Sequence, residues 1–210
     1  MYAALLTQVS RFAFAATTLF CMGSQFATAQ QLAHNQAPAG TSTSSPIGWV
    51  EFCERNPKEC SVPAMRPASV TLDETTWREI VKVNATVNRE ITPITDMEHH
   101  GIVEQWSYPD NGKGDCEDYV LEKRKRLMRA GFPRQALLIT VVRDKKGDGH
   151  AVLTVKTDRG DFILDNQAAK VLAWSETGYR FIKRQSQENP NRWVSLGGFD
   201  TATVAVSTRR

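Results

Sequence analysis

Between Ala136 and Asn166 the sequence carries three β-branched runs, "ALLITVVRD" (136–144), "GHAVLTVKT" (149–157) and "GDFILDN" (160–166), separated only by "KKGDG" and "DRG". Connections that short join antiparallel neighbours, because a parallel pair needs a crossover of a dozen residues or more. Ahead of them stands "DCEDYVLEKRKRLMRAGFP" (115–133), which has the marks of a helix. Asp115 is placed as N-cap, Glu117 and Asp118 at the positive end, Lys and Arg in the later turns, and Gly131 as a stop before Pro133. Further strands are expected at "YRFIKRQ" (179–185) and "RWVSLG" (192–197). A helix followed by an antiparallel meander predicts an α+β fold with that helix packed on the sheet.

A second helix is expected over 71–91, with Thr71 or Asp73 as N-cap and a buried stripe of Trp77, Ile80, Val81, Val87 and Ile91. The stretch between the helices, "PITDMEHHGIVEQWSYPDNGKG", has no sustained period and is long enough to call for a function or tight packing. Residues 1–29 read as a cleaved export signal: Arg11 supplies the positive region, "FAFAATTLFCM" the apolar run and Ala27-Thr28-Ala29 the cleavage site. The apolar run is short for a transmembrane anchor, and Cys21 belongs to it. The mature form is therefore expected in the periplasm or secreted, without a membrane anchor. Residues 30–46, polar and proline-containing, read as a linker, and 47–210 as one domain. The net charge of +3 comes from interspersed acids and bases, which gives no electrostatic case for nucleic acid or a membrane surface.

Outside the signal, export permits a disulfide, and Cys53 and Cys60 flank a short proline-containing loop, so they are the expected pair. Cys116 is then left free in the first turn of its helix. It shares a face with Tyr119, Val120, Leu127 and Met128, so it points inward. His150 opens the second strand and Asp165 closes the third. With a two- or four-residue turn, paired residue numbers sum to an odd value such as 317, which puts His150 and Asp165 on one face. A thiol at a helix start, an imidazole on an adjacent strand and a carboxylate beside it are the parts of a nucleophile, a base and an orienter suited to amide substrates.

Three motifs, "GKGDCEDYVLEKRKRL", "GHAVLTVKTDRGDFILDN" and "YRFIKRQSQENPNRWV", resemble in their order the bacterial transglutaminase-like cysteine proteinase family, part of the papain-like, transglutaminase-type superfamily. The resemblance implies a papain-like, transglutaminase-like fold with Cys116, His150 and Asp165 as the catalytic triad. In its LapG-type branch of periplasmic proteases the substrate is a surface adhesin, and an inner-membrane receptor is a further implied partner. There, acids at the positions of Asp115 and Glu117 belong to a calcium site.

From the residues alone, two readings of those acids stand. Either Asp115 and Glu117 turn outward and cap the helix, or they hold a calcium ion that offsets their opposition to a thiolate. The resemblance also implies an oxyanion role for Trp106, beside its reading as a packing residue, and Asn166 is a candidate to assist Asp165. His99 and His100 with Asp96 and Glu98 invite a zinc reading, but adjacent residues diverge, and they are expected to line a cleft or face solvent. The leading function is a periplasmic cysteine endopeptidase. The alternatives are a transglutaminase-like amide transferase and a non-catalytic peptide- or receptor-binding domain of the same fold.

Overall fold

The computed structural model describes residues 35–197, so the expected export signal lies outside the described residues. In chain order come β1 (Ala39–Thr43), α1 (Ile47–Arg55), α2 (Pro57–Cys60), α3 (Glu74–Glu90), β2 (Thr92–Pro93), α4 (Asp96–His100), β3 (Lys113–Gly114) and α5 (Cys116–Arg129). They are followed by β4 (Leu137–Arg143), β5 (Gly149–Thr157), β6 (Gly160–Leu164), β7 (Leu172–Ala173), β8 (Arg180–Gln185) and β9 (Trp193–Leu196).

The expected strands β4, β5 and β6 form, and the β5–β6 register pairs Leu153 with Leu164 across a two-residue turn, the odd sum of 317. The large sheet is antiparallel, in the order β1-β9-β8-β4-β5-β6-β7. It is not a simple meander. After β7 the chain crosses back, and β8 pairs with the far side of β4. There Phe181 joins Val142, Val152 and Ile163 in a small cluster on one face of the sheet. On the other face α3 and α5 close the main core, built from Trp49, Phe52, Ile80, Leu127, Ile139 and Leu153 among others.

Asp73, rather than Thr71, caps α3, in a reciprocal box with Thr76. The buried stripe of α3 is Ile80, Val83, Asn84 and Val87. Val81 lies one helical step off that stripe and is exposed, and Trp77 packs edge-on to Phe162 at 5.1 Å. Helix α5 ends as expected: Gly131 takes φ +92°, the left-handed conformation that glycine adopts at low cost. The Phe132 N–H then reaches back to the Leu127 carbonyl at 3.0 Å. Cys53 and Cys60 are disulfide-bonded.

The stretch read as a linker is in part structured. Residues 39–43 form β1, which pairs with β9 along the sheet edge. Just before it, the Asp161 N–H donates to the Asn35 carbonyl at 2.8 Å and Ala37 N–H to Asp161 Oδ2 at 3.1 Å. Backbone bonds hold this segment, and they do not require the apolar side chains whose absence suggested a linker. Asp161 is fully buried and pairs with Lys156 and Arg184, each at 2.8 Å. Asp161→Asn leaves two buried cations short of their counter-charge and is expected to destabilise the fold by about 3–5 kcal/mol. Urea denaturation measures this, and a loss within error of zero would mean the triad is not stabilising as a unit.

Candidate active site

The two-stranded parallel ladder of β2 and β3 shapes the site. Thr92 pairs with Lys113 and Pro93 with Gly114, so the residues that follow each strand, Asp96 and Asp115, are brought together although they are distant in sequence. The Tyr119 hydroxyl donates to the Ile91 carbonyl at 2.6 Å and Ser107 N–H to Asp118 Oδ1 at 2.7 Å, fastening this stretch to α5. Gly114 allows the close fit: a Cβ there would stand 2.7 Å from that of Asp118. Burial pushes the Asp118 carboxyl up to about 8, against the bond from Ser107.

Cys116 begins α5 and is half-buried, its thiol free. It borders a cavity of about 540 Å³ together with His150, Ala151, Trp106, Val141 and Asp96, a size that holds a peptide side chain or a small ligand. Across the β5–β6 hairpin His150 Nε2 meets Asp165 Oδ1 at 2.8 Å, both side chains almost fully buried. Asp165 as acceptor assigns the ring proton to Nε2 and leaves Nδ1 with its lone pair. Three further groups fix Asp165. The Gln167 N–H donates to Oδ1 at 2.9 Å, the Tyr179 hydroxyl to Oδ2 at 2.6 Å and Asn88 Nδ2 to the backbone carbonyl at 2.8 Å. Burial works to raise the Asp165 carboxyl, but the hydrogen bond and charge of His150, with the hydrogen bonds from Tyr179 and the Gln167 N–H, outweigh it and hold it below the usual range.

The acids beside Cys116 do not turn outward. Asp115 is the N-cap residue of α5 but makes no side-chain cap bond, and its Oδ1 is buried without a partner. Glu117 is buried, and its Oε2 accepts from the Cys116 thiol at 3.0 Å. With Asp96 these two acids offer oxygens that all lie within 4.8 Å of one another. Burial, then the charges of Glu117 and Asp115, push the Cys116 thiol well above its usual range. The Ala151 N–H, next to His150 on β5, acts the other way. Burial also drives Asp115 up to about 6 and Glu117 well above the usual carboxylate range, each raised further by the acids around it.

The two expected supports, Trp106 and Asn166, have these surroundings. The Trp106 indole N–H donates to Glu104 Oε1 at 2.7 Å and its ring packs edge-on to Trp49. Asn166 makes no bond to the Asp165 carboxylate; Tyr179 and Gln167 do that work. The His99 ring lies tilted against that of His100, 3.9 Å between centres, and pairs with Asn111, and neither histidine joins the group of Asp96, Asp115 and Glu117. Tyr179 was legible only as the start of a strand, and Asp96 only within the zinc reading.

Comparison with known proteins adds the family. No curated protein matches the chain. Among solved structures, Legionella pneumophila LapG is similar, 26% identical over 59% of this chain and 71% of that one, with a TM-score of 0.49. So is calcium-bound Legionella pneumophila LapG, 24% identical over 60% and 74%, with a TM-score of 0.49. The sequence profile of the bacterial transglutaminase-like cysteine proteinases matches residues 39–201, a span holding Cys116, His150 and Asp165. The chain thus belongs to the bacterial transglutaminase-like cysteine proteinase family, whose members are cysteine peptidases.

Proposed function

We propose that the protein is an exported cysteine endopeptidase acting on an exported or surface protein, with Cys116 as nucleophile, His150 as base and Asp165 as orienter. The observation that carries this reading is the buried 2.8 Å bond from His150 Nε2 to Asp165 Oδ1, in a pair whose imidazole borders the same cavity as Cys116. His150 Nδ1 takes the thiol proton and the thiolate attacks the scissile carbonyl carbon. The oxyanion that forms is met by the Cys116 N–H at the start of α5, where the helix dipole favours negative charge. The imidazolium gives its proton to the leaving amine as the C–N bond breaks, leaving a thioester. A water deprotonated by His150 then attacks the thioester, the acid product departs, and the imidazolium returns the proton to sulfur.

Asp96, Asp115 and Glu117 are the residues that would hold a calcium ion. Their hard oxygens, their mutual approach and the orphaned Asp115 Oδ1 fit such a cation. A bound divalent cation supplies positive charge that offsets the acids' opposition to the thiolate. Export is supported by the leader-like residues 1–29 and by the Cys53–Cys60 disulfide, a bond that persists in oxidising compartments. Among the described residues no helix is long and apolar enough to cross a membrane. A surface adhesin is the substrate class implied by the family resemblance, and an inner-membrane receptor the implied partner.

Labelling of Cys116 by an iodoacetamide probe, followed by intact mass, tests nucleophile and cation together. Calcium is expected to speed labelling by about tenfold for each unit by which the thiol pKa falls. At a hundred times its Kd it should also stabilise the fold by about 2.7 kcal/mol. EGTA should reverse both effects, and Asp96→Asn should abolish the calcium response. Labelling no faster than that of an ordinary exposed cysteine, with calcium or without, would point instead to a binding domain. A calcium response that survives in Asp96→Asn would move the cation elsewhere.

A further inference from the structure

The His150–Asp165 pair stands between two cavities. His150 borders the one at Cys116, while Asp165, Gln167 and Tyr179 line a second, of about 220 Å³. Gln167 joins the two, its Nε2 3.5 Å from His150 Nδ1. Three lysines edge the second cavity: Lys145 and Lys146 from the β4–β5 connection and Lys170 from the loop between β6 and β7. Among the described residues none of the three pairs with a carboxylate. The two acids that share the lining are already engaged. Asp144 Oδ1 accepts from the N–H groups of Lys146 and Asp148 at 2.8 and 3.0 Å, and Asp165 accepts from His150, Gln167 and Tyr179. Lys145 is laid along the turn that leads to Tyr179, where a Cβ on Gly178 would stand 3.3 Å from its Cε. Ile163 and Leu172 add an apolar wall. The cavity has room for one side chain, a surface for its methylenes and a cationic edge without a partner of its own.

The chemistry decides which part of a substrate reaches it. The oxyanion faces the Cys116 N–H, and the leaving amine must face the imidazole that protonates it. The chain beyond the scissile nitrogen therefore passes His150 towards Gln167 and the second cavity. The acyl side stays at the Cys116 cavity, whose lining has four acids, Asp96, Glu104, Asp115 and Glu117, and neither lysine nor arginine. The two ends of the cleft thus differ in charge. A carboxylate side chain is repelled at one end and drawn to the other, and repulsion of the wrong register sharpens specificity as much as attraction of the right one.

We propose that the second cavity is a specificity subsite for an acidic side chain, aspartate or glutamate, on the leaving side of the scissile bond, read by Lys145, Lys146 and Lys170. This rests on the assignment of Cys116 and His150 given above. The three lysines are exposed, so each contributes modestly, about two- to fivefold in kcat/KM, and salt screens the effect.

The test is a pool of internally quenched peptides randomised on both sides of the scissile bond, given to the full chain at low salt and read by mass spectrometry. Aspartate and glutamate are expected to be enriched among the residues that follow the cut and depleted before it. A matched pair drawn from the pool, one with glutamate and one with glutamine after the cut, then gives a ratio of kcat/KM values. That ratio is expected to fall by about two- to fivefold in each of Lys145→Ala, Lys146→Ala and Lys170→Ala. It should drop below one when Lys145→Glu and Lys146→Glu are combined, and approach one for wild type in about 1 M salt, where the Debye length is about 3 Å. Because both peptides meet the same enzyme sample, a variant that folds poorly does not change the ratio. Cuts with no acidic preference after the scissile bond would overturn the proposal, as would a ratio that the lysine variants leave at the wild-type value. Either result, with cleavage lost in Cys116→Ala, leaves the underlying assignment standing. Cleavage that persists in Cys116→Ala, or a wild type that cuts no peptide of the pool, would overturn that assignment and this proposal with it.

Discussion

Cys116→Ala is expected to lower kcat/KM for peptide cleavage by about 10⁴-fold or more, with the fold unchanged. Removing the nucleophile of a covalent mechanism leaves only binding and oxyanion stabilisation, which supply a small part of the rate enhancement. The variant should fold, because Cys116 is half-buried at a helix start and its sulfur makes one bond, to Glu117 Oε2. Losing that bond frees a carboxylate from a thiol that it holds protonated. Product analysis by mass spectrometry with near-UV circular dichroism on the same sample decides the matter. Cleavage within tenfold of wild type would remove Cys116 from the chemistry.

Asp165→Asn is expected to cost nearly as much, about 10⁴-fold in kcat. The carboxamide puts an NH₂ where the structure has an acceptor for both His150 Nε2 and the Tyr179 hydroxyl. An amide that turns its oxygen to the imidazole turns its NH₂ to Tyr179, and the reverse choice favours the wrong His150 tautomer. The pH dependence has a defined sign. Asp165 is held below the usual carboxylate range. Its contribution to stability is therefore present above the unfolded value of about 3.9 and is lost as pH falls through the lower folded one. Wild type should lose stability in strong acid by this route and Asp165→Asn should not. A kcat within tenfold of wild type would leave Asp165 without the orienting role.

What could be read from the residues was what neighbours in sequence decide. The turn between Thr157 and Gly160 and the alternation of β5 and β6 set the register, and the register alone puts His150 and Asp165 on one face. The start of α5 at Cys116 and its stop at Gly131 are likewise local. The crossing of β8 to β4 was not legible, because no short-range pattern distinguishes it from one more turn of a meander. Nor was the inward turn of Asp115 and Glu117, since it depends on Asp96 being carried to them by the β2–β3 ladder. The basic run of α5 misled in a different way. Lys and Arg in the later turns suit a solvated helix end, yet Lys123 and Arg124 are buried because the helix is covered on almost every side. Arg124 instead lies over the Trp49 ring, 5.8 Å from its centre. Tyr179 became part of the site only through the same long-range crossing that brings β8 to the sheet.

The edge ladder between β1 and β9 carries a mechanical consequence. Ala39 stands opposite Leu196, so the start of β1 and the end of β9 meet at one corner of the sheet. Tension applied beyond Leu196 would open that ladder one pair at a time, as a zipper opens, instead of shearing the whole sheet. The strand bearing His150 lies four places further in, behind β9, β8 and β4. A load from the N-terminal side, by contrast, meets first the bonds of Asn35 and Ala37 to Asp161 on β6, the neighbour of the strand that bears His150.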